Sequence, residues 1–295
     1  MFDVVGFGES SVDFVHVVPE LPQPGVSKLQ IASHYTACGG QVATAMAGCA
    51  ALGLKTAYLG AVGNDANGKR IRDELRAHGV DLSRLIVRHA PNRFAVILVS
   101  QATGDRVVLW ERDRRLDLPP DEISAALLPR ARIVHVDATD EAASIVVARL
   151  ARAAGSTVTC DIDTVTTRTW ELLSHVTIPI LAEHVPQGLT GSPDIEGALR
   201  QVRLRHEGLL IVTLGTNGAA ALDGDHYLHV PAVPAEAADT TGAGDIFRAG
   251  FIYAHLQGWP TERALRFANA AAAVSCSRPG ALAGAPALSE VLALL

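Results

Sequence analysis

DTTGAGDIFRAGF, residues 239–251, decides how the rest of the chain is read. These thirteen positions hold three glycines and two aspartates, and then the stretch turns apolar. Gly242-Ala243-Gly244 can present consecutive backbone N–H groups toward one point, and a helix predicted to begin near Asp245 adds its positive end. Together they make an anion hole suited to the charge of a phosphoryl group in transfer. Asp245 lies beside that hole, where a substrate hydroxyl could give up its proton. Helix starts favour acids in general, so capping of a glycine-rich turn accounts for Asp245 alone. It does not account for the doubled glycine or the small residues around it.

The surroundings of this stretch are those of an ordinary globular protein. The chain has 295 residues, 48% of them hydrophobic, enough for one large α/β domain or two smaller ones. The net charge of -6 is spread over interspersed signs, which gives no nucleic-acid footprint. The densest charged run, ERDRRLD at 111–117, alternates in sign and reads as a solvated edge. Cys38, Cys49, Cys160 and Cys276 are scattered without a CxxC, so neither disulfides nor a zinc site is expected. MFDVVGFG lacks the basic start and cleavage site of a signal peptide, and no apolar run reaches the length of a membrane span. A cytoplasmic protein with neither a nucleic-acid nor a membrane partner is expected.

Short apolar runs alternate with helical patterns along the chain. Strands are predicted at 3–8, 56–63, 132–137, 157–163 and 209–215, and helices at 44–53, 68–79, 141–155, 244–258 and 262–278. That alternation predicts a mainly parallel sheet with helices on both faces, and ligands at the carboxyl ends of its strands. Two segments break the rhythm: 12–36, and the hairpin pattern of 93–111 around Thr103-Gly104-Asp105. Both read as antiparallel strands outside the main sheet, and a small β lid over the ligand edge would fit them.

Two motifs compete with the first. GNDANGKR, 63–70, spells G-x-x-x-x-G-K, but Arg70 stands where a P-loop needs a hydroxyl for magnesium, and Asp65 would oppose an anion. A turn before a helix N-terminus is the simpler reading. GFGESS, 6–11, starts like a dinucleotide fingerprint and lacks its third glycine. The eleven histidines form no HExxH and no ligand-like cluster.

The stretch at 239–251 resembles the C-terminal motif of the ribokinase-like (PfkB) sugar kinase family, and the resemblance extends over essentially the whole chain. CGGQVATAMAGCAALG (38–53) is similar to the family's di-glycine motif, and GAVGNDANG (60–68) to the turn that follows it. IVTLGTNGAAAL (211–222) resembles the nucleotide-side strand, and FANAAAAVSCSRPGA (267–281) the last family helix. The resemblance implies a single three-layer α/β/α sandwich over 1–295 with a mainly parallel sheet. Its β-sheet lid would be formed by about 12–36 and 92–112. The implied activity is ATP-dependent phosphorylation of a hydroxymethyl group on a sugar or sugar derivative, using magnesium. Asp245 would be the base, and Gly242, Ala243 and Gly244 the anion hole. Asp13 matches an aspartate that grips sugar hydroxyls, with Gly39, Gly40 and Gln41 beside the sugar. Thr213, Gly215, Thr216 and Gly218 would line the nucleotide, with Asn269 near the adenine. Asp239 and Thr241, with Ser275, Arg278 and Gly280, match a loop that binds a potassium-like ion in many members.

Some positions depart from the family pattern. Ser11 and Thr44 stand where asparagines usually contact the sugar. The usual Asn-x-x-Glu near magnesium is replaced by AEHV (182–185), leaving Glu183, with Asp161 as a second candidate carboxylate. Arg248, one turn past the base, could meet a substrate carboxylate or phosphate or form a solvated or intersubunit contact, and Arg93 and Arg112 on the lid segment raise the same question. A nucleoside kinase of the same fold, a catalytically impaired sugar-binding regulator and a P-loop NTPase are the alternatives. A homodimer through lid strands is expected, because exposed strand edges pair.

Overall fold

The computed structural model describes residues 1–295. In chain order its elements begin with strands β1 (Phe2–Phe7), β2 (Ser11–Val18) and β3 (Ser33–Gly39), then helix α1 (Gln41–Ala51). There follow β4 (Thr56–Leu59), β5 (Ala61–Gly63), α2 (Ala66–Ala77), β6 (Ile86–Arg88), β7 (Phe94–Ser100) and β8 (Arg106–Glu111). The middle of the chain holds β9 (Ala131–Asp137), α3 (Glu141–Ala153), β10 (Thr157–Ile162), α4 (Thr169–His175), β11 (Ile178–Ala182), α5 (His184–Thr190) and α6 (Ile195–Arg203). It closes with β12 (Leu210–Thr213), β13 (Ala219–Asp223), β14 (His226–Val230), α7 (Ala243–Leu256), α8 (Thr261–Cys276) and α9 (Leu288–Leu292).

Side chains on a strand point to alternate faces, so each buried strand supplies two cores. Val4, Tyr58, Ile133, Ile180 and Ile211 face one way and pack under α1, α7 and α8. Val5, Phe7, Val134, Val136 and Leu181 face the other way, under α3 to α5. The result is a three-layer α/β/α sandwich on an eight-stranded sheet of order β14-β13-β12-β11-β10-β9-β1-β4. Its strands from β4 to β12 run parallel, and at one edge β13 and β14 each pair antiparallel with the strand before them. No helix is long and apolar enough to cross a membrane.

The two irregular segments build a separate four-stranded sheet of order β3-β2-β7-β8. Expected to be antiparallel throughout, it has a parallel pair at its centre, because β2 and β7 come from distant parts of the chain and run the same way. The strand expected at 56–63 breaks at Gly60, where a Cβ would lie 2.5 Å from the Tyr58 hydroxyl. Its second half, β5, pairs with β6 in a small sheet of its own. In the GNDANGKR turn, Asp65 caps α2 by accepting from the Gly68 N–H at 2.9 Å. A Cβ on Gly68 would lie 1.9 Å from the Gly63 carbonyl oxygen, and Lys69 is ion-paired with Asp73 on the surface. The glycines of that near P-loop therefore serve packing, and its lysine is turned to solvent.

Helix α7 carries the decisive stretch, and α1 seats it. A Cβ on Gly48 would lie 2.8 Å from both Ala249 Cβ and Ile246 Cδ1, so the two helices meet at close range. Gly48→Leu is expected to overpack this contact and to cost about 1–3 kcal/mol. A lowered denaturant midpoint with an unchanged slope checks this, and an unshifted midpoint refutes it.

Candidate active site

The parallel strands deliver their carboxyl ends to one edge of the sheet, and the helices that follow them begin there. Glu9 follows β1, Asp137 ends β9, Asp161 and Asp163 lie at the end of β10, and Glu183 follows β11. The N-termini of α1 and α7 open onto the same edge.

Gly242 is the N-cap of α7, with φ of 80°. A side chain there is strained by that backbone and would also lie 2.6 Å from Ala281 Cβ. The first N–H groups of a helix have no intrahelical partner. Here those of Gly242, Gly244 and Asp245 have no backbone acceptor, whereas that of Ala243 turns to the Thr240 carbonyl at 3.3 Å. The expected hole of Gly242, Ala243 and Gly244 is thus corrected at one member. Ala243 points into the turn, and the Asp245 amide takes its place.

Asp245 has Asp161 beside it and Arg248 below. Arg248 is only 3% exposed, its Nη2 lies 2.5 Å from Asp161 Oδ1, and it also donates to the Ile180 carbonyl at 3.3 Å. Arg248 was read as a possible partner for a substrate anion, and Asp161 as a possible magnesium ligand. Each of these buried charges faces the other, so in this structure neither stands free for a substrate anion or for magnesium. Gly244 makes the arrangement possible, since a Cβ there would lie 2.9 Å from Arg248 Nη1. Burial pushes Asp161 up to about 6, with Arg248 opposing and Asp245 bonding to it. Asp245 keeps a partly exposed edge, yet burial and the adjacent Asp161 hold its carboxyl well above the usual range, against the pull of Arg248. The two carboxyls can share a proton over one guanidinium.

The acceptor side is built from β2 and the start of α1. The Ser11 hydroxyl donates to Asp13 Oδ1 at 2.9 Å, and burial raises the Asp13 carboxyl while that bond lowers it. Gly39 leaves room for this pair, because a Cβ would lie 2.5 Å from Asp13 Oδ2. Gly40, at φ 97°, caps α1 where a Cβ would lie 2.7 Å from the Glu9 carbonyl oxygen. Gln41 is half-buried at the helix start. Thr44 is fully buried against Gly242, so it supports the anion hole from below and is corrected as a sugar contact.

On the nucleotide side, Thr213 ends β12, and Gly215 and Thr216 are exposed, with nothing within 4 Å of a Cβ placed on Gly215. Gly218 is required by packing, since a Cβ there would lie 2.1 Å from the Val230 carbonyl oxygen. Asn269 was expected near the adenine. Its Nδ2 instead donates to the Val230 and Pro231 carbonyls at 3.1 and 3.0 Å, bracing that turn.

In the loop before α7, Asp239 accepts from the Thr241 N–H, the Gly280 N–H and the Tyr35 hydroxyl, each at 2.8 Å. Burial opposes these bonds, and together they still hold its carboxyl below the ordinary value. The Gly280 carbonyl accepts from the Gly284 N–H at 2.9 Å and the Ser275 carbonyl from the Arg278 N–H at 3.2 Å. The Arg278 side chain is ion-paired with Glu290.

No group of three His, Cys, Asp or Glu side chains forms a closed metal site. Magnesium bound through phosphates needs only one or two carboxylates and keeps several waters. Glu183 and Asp163, both exposed at this edge, fit that requirement.

Three contacts at the edge were not read from the sequence. Glu9 pairs with Arg93 at 2.9 Å. Arg106, on β8, reaches the Thr241 hydroxyl at 3.4 Å. Tyr35, on β3, bonds Asp239 as above. Each joins segments far apart in the chain, and no local spacing announces such a contact.

Comparison with known proteins adds the following. The family model for pfkB family carbohydrate kinases matches residues 1–288. The chain is 26% identical to a 5-dehydro-2-deoxygluconokinase of Shouchella clausii, over 100% of this chain and 95% of that one. It is 27% identical to fructokinase-1 of Zea mays, over 99% of this chain and 97% of the relative. The structure of an Arabidopsis thaliana ribokinase complexed with ribose and ATP superposes with a TM-score of 0.83 at 28% identity, covering 99% of this chain and 98% of that one.

The charge cluster makes the pH dependence of turnover diagnostic. A base works deprotonated, so a raised carboxyl places the acidic limb of kcat/KM above that of an ordinary aspartate. Asp161→Asn removes the like charge and should move that limb to lower pH, whereas Arg248→Gln removes the cation and should move it to higher pH. Limbs that coincide with wild type in both folded variants would show that the cluster does not set the titration.

Proposed function

The chain belongs to the pfkB family of carbohydrate kinases, phosphotransferases with an alcohol acceptor, and on that premise we propose how its residues divide the work. The γ-phosphoryl group of ATP passes to a hydroxymethyl group of a sugar or sugar derivative. Asp245 takes the proton of the acceptor hydroxyl, and the N–H groups of Gly242, Gly244 and Asp245 face the charge on the transferred group. Asp13, oriented by Ser11, accepts from sugar hydroxyls, with Gly39, Gly40 and Gln41 beside it. Thr213, Gly215 and Thr216 border the nucleotide. Magnesium, when bound through the phosphates near Glu183 and Asp163, supplies charge neutralisation. The observation that carries this reading is the juxtaposition at α7: unpaired helix-start amides beside a carboxyl whose proton affinity is raised.

Residues 1–295 act as one kinase domain, with the four-stranded sheet as its lid. The loops 239–241 and 275–280 are the proposed place for a potassium-sized ion. Four cysteines without a disulfide suit a reducing compartment, and the cytoplasm is the proposed location. A nucleoside kinase has less support, because the aromatic groups that a base would stack on have other partners. Phe14 and Phe94 meet edge to face at 6.1 Å, and Tyr35 is bonded to Asp239. The names of the relatives cover a neutral ketose and a sugar acid, so the family leaves the acceptor's charge open.

A coupled ADP-release assay over ketoses, aldoses, sugar acids, sugar phosphates and nucleosides, with ATP, magnesium and potassium, tests the reading. Asp245→Asn is expected to lower turnover by about two to four orders of magnitude, with sugar affinity largely kept. Turnover close to wild type in that variant would refute Asp245 as the base.

The lid also supports an assembly. All six residues of edge strand β8 are exposed, and Val107, Val108, Leu109 and Trp110 are 41–64% accessible. An apolar edge of that kind pairs with another, so the proposed state is a homodimer joined through lid strands. Sedimentation at micromolar concentration should give a dimer for wild type and a monomer for Val108→Lys/Leu109→Lys. A wild-type monomer would reject the assembly.

A further inference from the structure

Building on the kinase reading, we propose that the acceptor is uncharged, and that Glu9 excludes anionic acceptors by holding Arg93. Four arginines approach the ligand edge, and three are already matched to carboxylates. Arg93 Nε lies 2.9 Å from Glu9 Oε1, with the two side chains 18% and 13% exposed. Arg112 is held by Asp140 at 2.8 Å and Asp117 at 3.2 Å. Arg248 is held by Asp161. The fourth, Arg106, is exposed, hydrogen-bonds Thr241 beside the anion hole and stands near enough to Asp13 for its charge to act there.

The Asp13 and Asp245 carboxyls at the acceptor end form no ion pair, although the charges of Arg93 and Arg106 reach Asp13. Asp13 has Ser11 as its hydrogen-bond partner, and Asp245 faces another carboxyl. Glu9 stands close enough to Asp13, Asp163 and Asp245 for their charges to act on one another, and burial raises its own carboxyl. A carboxylate or phosphate on the acceptor would meet an excess of its own sign among these half-buried groups, whereas neutral hydroxyls find acceptors there.

Glu9 is placed for this task by its backbone. Its N–H donates to Asp137 Oδ2 at 2.6 Å, and its carbonyl packs against Gly40, which admits no side chain. The side chain therefore has a fixed origin. Arg93 stands immediately before β7, with its guanidinium over the Trp110 ring at 5.4 Å. Without Glu9 it would be a free cation in the lid, facing the acceptor.

Isothermal titration with a non-hydrolysable ATP analogue and magnesium tests this. Fructose, ribose and glucose are compared with gluconate, 2-keto-3-deoxygluconate and fructose 6-phosphate, in wild type, Glu9→Gln and Glu9→Gln/Arg93→Gln. Wild type should bind a neutral sugar at least about tenfold more tightly than any anionic one. Glu9→Gln should shift the anionic-to-neutral ratio by about tenfold toward the anion, and the double variant should reverse that shift. Equal or tighter binding of an anionic sugar by wild type overturns the inference, as does binding of none of the six. An unchanged ratio in folded Glu9→Gln overturns the role of Glu9, and the wild-type comparison stands even where that variant does not fold. Selective binding of a neutral sugar that is never phosphorylated with ATP would sink the kinase reading and leave this inference intact.

Discussion

A guanidinium with almost no water left on it constrains the whole site. Arg248 is 3% exposed, and a buried charge of that kind is tolerated only beside an opposite one. Asp161 is delivered to it by the end of β10, on the face of the sheet that α7 covers. Gly244 must lack a side chain so that the guanidinium can lie where it does, and α7 must sit deep enough to carry it there. Gly48 on α1 permits that depth. Asp245, three residues before Arg248 on the same helix, takes its proton affinity from burial first and then from this balance of charges. The glycines of the decisive stretch thus serve two purposes. Gly242 turns the chain into the helix, and Gly244 admits the cation beneath it.

Much of this was legible in the sequence, and the boundary of what was legible is physical. The alternation of apolar runs with helical patterns gave the mainly parallel sheet, since period and length are local properties. Gly242, Gly244 and Asp245 could be read because a helix start and its free amides are also local. The Arg248–Asp161 contact could not, because its partners are 87 positions apart and meet only through strand order. Asn269 misled for a related reason. An amide on a helix near the nucleotide side has two donors, and nothing in its neighbours shows that both go to the Val230–Pro231 turn. Thr44 is a clearer case, since helical spacing cannot tell whether a polar residue in the first turn faces a ligand or lies under the next helix.

The smaller sheet shows the same limit. Its two segments were recognisable as strands outside the main rhythm, yet their order could not be deduced, and its central pair β2 and β7 turned out parallel. That pairing brings Asp13 alongside Ala95, two residues after Arg93, so the residues at the acceptor end come from one sheet and from the loop that follows β1. Glu9 escaped notice because a glutamate in a loop is ordinary until its partner is known.

Tyr35 bonds from that sheet to Asp239, whose carboxylate also gathers the amides of Thr241 and Gly280 ahead of α7. One carboxylate therefore belongs both to the layer above the acceptor and to the loop that leads into the anion hole. Sites joined through a shared group exchange free energy equally in both directions. To the extent that sugar binding tightens this bond and thereby favours nucleotide, nucleotide must favour sugar by the same factor, so the order in which the two ligands arrive is a matter of rates and not of affinity.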